Sequence, residues 1–143
     1  MKEMNPIEEF ILESDVDVMY EIAVDFGQDI AQSFVRLADK IQNDGKKRDC
    51  YGIVLKANGA MQYRAAFNEL YEGEAESLGI PSFQIEKGKY WAIKIEQWNQ
   101  KLLEIGPTFD QILKSGKVDT NSPCIEYYHT ESDLICMVKS LDN

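Results

Sequence analysis

The sequence predicts an α+β fold made by pseudo-two-fold duplication of a strand–helix–strand–strand unit, with antiparallel sheets carrying their helices on one side. Three observations predict it. A run of strict apolar alternation leads into a helical stripe, and Asn58-Gly59 marks a tight hairpin. The same order of elements then recurs, with Phe10-x-Leu12-Glu13 returning as Phe83-x-Ile85-Glu86, 73 residues later.

Residues 7–12 read as a short strand, closed by the turn at Ser14-Asp15. Over 16–24, Val16, Val18, Tyr20, Ile22 and Val24 fall on one face and Asp17 and Glu21 on the other, the period of a half-buried strand. Phe26-Gly27 ends it. A helix runs on to about residue 43, because Ile30, Phe34, Leu37 and Ile41 make one apolar stripe and Asn43-Asp44-Gly45 supplies a glycine stop. That stripe is expected to pack on the Val16/Val18/Tyr20/Ile22 face. Strands at 51–56 and 61–70 flank Asn58-Gly59, a pair suited to the positive φ angles of a two-residue hairpin. The link at 71–81, rich in Glu and Gly, reads as loop.

The second half follows the same plan. A short strand at 83–86, the turn Lys87-Gly88 and a long strand at 90–96 precede a helical pattern over 97–114. Pro107 removes a backbone donor inside that pattern, so two short pieces meeting near Gly106 are expected. Strands at 123–128 and 134–139 form the last hairpin. Alternation puts Trp91, Ile93 and Ile95 under the second helix and Tyr90, Ala92 and Lys94 on the opposite face. The chain is read as one domain over 1–143, with repeat one at 1–72 and repeat two at 80–143. Uncovered faces of two such repeats are expected to meet along a cleft, where small molecules commonly bind.

Composition narrows the function classes. A formal charge of −10 without a Lys/Arg cluster argues against direct nucleic-acid binding, since nothing would displace phosphate counterions. Cys50, Cys124 and Cys136 are odd in number and form no CxxC, so they read as core thiols in a reducing compartment. His129 is the only histidine, so no metal or other cofactor is expected. No signal peptide and no apolar stretch long enough for a membrane span is visible, and a cytoplasmic location is expected.

Glu126 is the residue that needs a reason. It interrupts the apolar run Pro123-Cys124-Ile125-Glu126-Tyr127-Tyr128. A carboxylate taken from water costs several kcal/mol unless it is paired or protonated. Either the residue faces outward on a half-exposed strand, or it is kept for binding or catalysis. The position matching it in the first repeat is Gly52, which leaves open space opposite an acid.

Two motifs carry a family resemblance. Gly88-Lys89-Tyr90-Trp91-Ala92 resembles the Gly-x-Tyr strand of the gyrase-inhibitor-like (GyrI-like) effector-binding domains, and Pro123-x-x-Glu126-x-Tyr128 resembles their Pro-x-x-Glu-x-Tyr strand. The likeness spans nearly the whole chain. It implies a cleft between repeats that binds small cationic or aromatic molecules, with the motif glutamate, here Glu126, inside it. Many such domains are sensors of transcription regulators. No helix-turn-helix precedes the repeat in this sequence, which reads as a stand-alone member, and Trp91 replaces a small residue common in the family.

The ligand-binding candidates are therefore Glu126, Tyr128, Tyr90, Tyr63, Phe67, Tyr51 and Trp98. Tyr128 shares the face of Glu126, Tyr90 is the family tyrosine, and the remaining rings are wall or core by spacing alone. The leading expectation is binding of a small amphipathic, cationic or aromatic molecule, for sensing, sequestration or effector recognition. The alternative implied by the resemblance is a metal-independent hydrolase that opens strained cyclopropane rings of alkylators, with Glu126 as general base. A third is an acidic protein partner of a regulator or of gyrase.

Overall fold

The computed structural model describes residues 5–24, 28–41 and 44–142. Phe26-Gly27 and Asn43, expected to end a strand and a helix, lie outside the described residues. The order of elements is β1 (Glu8–Leu12), β2 (Val16–Ile22), α1 (Ile30–Lys40), β3 (Cys50–Ala57), β4 (Ala60–Asn68), α2 (Glu74–Leu78), β5 (Ser82–Ile85), β6 (Gly88–Glu96), α3 (Ile105–Leu113), β7 (Cys124–Tyr128) and β8 (Asp133–Lys139). This is the α+β arrangement expected, with strand, strand, helix, strand, strand appearing twice. Among the described residues no helix is long and apolar enough to cross a membrane.

Two compact bodies form, and the chain passes between them twice. One comprises Asp15–Glu86, the other Met1–Ser14 with Lys87–Asn143. Each body therefore takes the short first strand of the opposite half: β1 pairs with β6, and β5 pairs with β2. Every pairing within the two bodies is antiparallel.

In the Asp15–Glu86 body the strands lie in the order β3-β4-β2-β5. Asn58 and Gly59 have φ of 52° and 82° and join β3 to β4 by the two-residue turn their side chains favour. Helix α1 covers the sheet, but not on the expected face. Leu37 and Ile41 pack with Met19, Ala75, Ile80 and Phe67. Met19 and Phe67 are cross-strand partners, so this face also carries Glu21. Glu21 is satisfied there by the helix itself, accepting from Arg36 at 3.2 Å and Lys40 at 2.7 Å. The Val16/Val18/Tyr20/Ile22 face looks the other way. Alternation separates two faces but cannot say which one the helix covers.

The link at 71–81 is also not all loop. Glu74–Leu78 is helical, and Glu74 and Ala75 are buried. Gly73 enters that helix with φ of 84° and Gly79 leaves it with φ of 68°, so the glycines read as loop markers are its caps. Arg48, whose side chain is 3 % exposed, fixes it in place. The guanidinium donates to Glu74 Oε1 at 2.8 Å and Oε2 at 2.7 Å, to Asp44 at 2.8 Å and to the Asn68 carbonyl at 3.1 Å.

In the other body the order is β1-β6-β8-β7. Helix α3 lies on the face predicted for it. Phe109 and Ile112 pack against Ile93, Ile95, Leu134, Cys136 and Val138, with Trp91 at the margin. Burial of each such side chain contributes about 1.5–3 kcal/mol. The helix begins later than expected. Trp98–Gln100 and Leu102–Glu104 form two 3₁₀ turns, and Gly106 and Pro107 sit in the first turn of α3, after Ile105. First-turn N–H groups have no acceptor within the helix, so proline costs little there and no kink results.

Candidate functional site

The candidate site lies on the α3 side of the β6-β8-β7 face. Cross-strand register sets it out: Glu126 opposes Cys136, which opposes Ile93 on β6, while Cys124 opposes Val138. Cys136, Val138 and Ile93 belong to the core under α3. Glu126 therefore points into an apolar layer and is 7 % exposed. The outward reading of this residue is excluded. Two residues on, Tyr128 returns to the same face and its hydroxyl donates to Glu126 Oε1 at 2.8 Å.

Trp98 closes the cluster. Its ring meets Tyr128 edge-on, with centroids 4.9 Å apart and planes at 66°. The chain brings it there through Gln97, which adopts φ of 53°, an uncommon conformation for a residue other than glycine. The Trp98 backbone N–H then donates to the Ser132 carbonyl at 3.1 Å. The indole Nε1 is buried and meets no acceptor among the described residues. An unmet buried donor costs about 1–3 kcal/mol, which an incoming acceptor would relieve.

The predicted residues are not all brought together. Glu126, Tyr128 and Trp98 form one cluster. Tyr90 sits on the opposite sheet face, opposing Lys139, and is 2 % exposed. Within the Asp15–Glu86 body, Tyr63 and Phe67 share the α1 side, and Phe67 meets Phe34 with centroids 6.0 Å apart. Tyr51 opposes Ala66 and faces away from α1, buried at 4 % exposure.

Two residues of the Glu126 environment were read only as core. Cys124 and Cys136 flank the carboxylate, and the signal was present in the sequence, since Cys124 precedes Glu126 by two and so shares its face. Burial, reinforced by the charge of Glu126, pushes the Cys124 thiol up to about 11 and the Cys136 thiol higher still. Both are held protonated, unsuited to nucleophilic attack. Iodoacetamide should therefore label neither in the native protein at pH 7.5, at a rate at least about a hundredfold below that in denaturant. Mass spectrometry of quenched time points checks this, and labelling of Cys136 at the denatured rate would contradict the burial described. Among the described residues no cluster of His, Cys, Asp and Glu is suited to a metal ion.

No family model and no curated protein matches this chain. Solved structures do. An integron cassette protein from the mobile metagenome of Vibrio cholerae aligns with a TM-score of 0.68 at 10 % identity, covering 96 % of each chain. The fold is shared. The protein SAV2435, bound to tetraphenylphosphonium, aligns with a TM-score of 0.59 at 14 % identity, again over 96 % of each chain. A hydrolase from Listeria innocua aligns with a TM-score of 0.55 at 10 % identity, over 97 % of this chain and 93 % of that one. At such identities the likeness concerns architecture alone.

Proposed function

We propose that the chain is a GyrI-like effector-binding protein that takes a small lipophilic cation against Glu126. The observation that carries the reading is an acid 7 % exposed within an apolar layer, with the Tyr128 hydroxyl on one oxygen and the Trp98 ring beside that tyrosine. A cation arriving there meets a desolvated negative charge and two aromatic rings. Each ring contributes about 0.5–2 kcal/mol to a desolvated cation, and the carboxylate adds charge complementarity without a hydrogen bond. The architecture shared with SAV2435, which binds tetraphenylphosphonium, supports the same ligand class.

Isothermal titration with tetraphenylphosphonium tests it. Glu126→Gln keeps the volume of the side chain and removes its charge. The variant should bind the cation at least about tenfold more weakly. Triphenylphosphine oxide, aromatic and uncharged, should bind the variant at least as well as the wild type. Equal affinity of both proteins for the cation would remove Glu126 from the site.

A further inference from the structure

The arginines of this chain are used unequally. Arg36 grips Asp29 with both terminal nitrogens, at 2.9 and 2.7 Å, and Arg48 grips Glu74 in the same way. Arg64 grips no acid. Its Nε donates to Gln62 Oε1 at 2.7 Å, and among the described residues its two terminal nitrogens make no hydrogen bond. The chain carries 25 acidic residues against 15 basic ones, yet none of the described acids pairs with this guanidinium.

The group is nonetheless held. Its central carbon lies 4.2 Å from the centroid of the Tyr20 ring and 5.4 Å from that of Phe83. The Tyr20 ring and the Gln62 contact together hold the guanidinium in place. Register places it on the sheet face away from α1, opposite Ile53 on β3 and Ile22 on β2. Ile22 is 42 % exposed, so an apolar surface adjoins the open edge of the guanidinium.

We propose that Arg64 anchors a second site, which takes a carboxylate borne on an apolar body. The terminal N–H groups of an arginine match the two oxygens of a carboxylate, and a guanidinium already oriented loses little freedom on binding. A single cation suits a monoanion. A phosphate would bring more charge into the field of a chain of net charge −10. Ile22 and the rim of Phe83 supply the contact for the apolar part.

The test is NMR titration of the labelled full chain with 4-phenylbutyrate, acetate and inorganic phosphate, following the Arg64 Nε–H resonance. Phenylbutyrate should shift that resonance saturably, with an apparent Kd at least about tenfold below that for acetate, because only it reaches the apolar rim. Arg64→Lys keeps the charge and loses the planar fork, and should weaken phenylbutyrate about tenfold or more. An unmoved Arg64 signal at high millimolar phenylbutyrate would overturn the proposal. So would equal affinity in Arg64→Lys, or tighter binding of phosphate than of phenylbutyrate. The wild-type resonance decides the matter even where the variant folds poorly.

Discussion

Replacing Glu74 by alanine should lower the unfolding free energy by about 3–5 kcal/mol, a large share of the 5–15 kcal/mol typical of a domain. Glu74 is 4 % exposed and receives both terminal nitrogens of Arg48, together with the Leu70 N–H at 2.8 Å. Alanine would leave the Arg48 charge buried with only Asp44 and a carbonyl to face. It would also release α2, which buries Ala75 against α1. Urea titration of Glu74→Ala, Arg48→Met and the double variant separates the pair from the rest. The double variant should recover much of the loss, because it leaves no stranded charge. A Glu74→Ala midpoint equal to that of the wild type would refute the account.

The same pair sets an acid limit. Hydrogen bonds from the Arg48 guanidinium hold the Glu74 and Asp44 carboxyls below their ordinary values, against the opposing effect of burial. Carboxyl groups lowered on folding stabilise fully above their unfolded values, near about 4, and that contribution drains away as pH falls through the folded ones. The difference in stability between wild type and Glu74→Ala should therefore be constant at neutral pH and shrink progressively below about pH 4.

The second large effect is expected at Leu134, in the core under α3. It is fully buried, opposes Ile95 across β6 and β8, and packs in the cluster that holds Phe109 and Ile112. Leu134→Ala removes that volume from a closed layer and should cost about 2–5 kcal/mol. Leu103, 93 % exposed in the 3₁₀ segment, provides the contrast, since its alanine variant should stay within about 0.5 kcal/mol of the wild type. Chemical denaturation of the two variants side by side checks both figures, and equal losses would contradict the placement of the core.

Local signals carried much of the fold. The Asn58-Gly59 turn, the α1 stripe and the alternation of β6 each specify structure through backbone preference or period, and each is found where the residues put it. What failed was information held elsewhere in the chain. The face that α1 covers depends on Met19 and Phe67 meeting across two strands, and on Glu21 finding Arg36 and Lys40. A window on β2 alone shows a clean apolar face and selects the wrong one. Pro107 misled for a related reason, because its meaning depends on where the helix starts. At the site, Glu126 and Tyr128 were legible as a pair from strand period. Tyr90 lies on the face away from α3, as its alternation predicts, whereas the register puts Glu126 and Tyr128 on the α3 side and not on the uncovered face where the cleft is expected.

The exchange of short strands has a consequence for how the molecule is made. Strand β1 belongs with β6, which begins at Gly88, so its partner leaves the ribosome some 76 residues after β1 itself ends at Leu12. At about 5–20 residues per second, that is a wait of roughly 4–15 s with an unpaired strand edge. β1 is suited to such a wait, since it opens with Glu8 and Glu9 and is followed by Glu13. Acidic side chains at both ends of a five-residue strand disfavour its association with other nascent chains until β6 arrives.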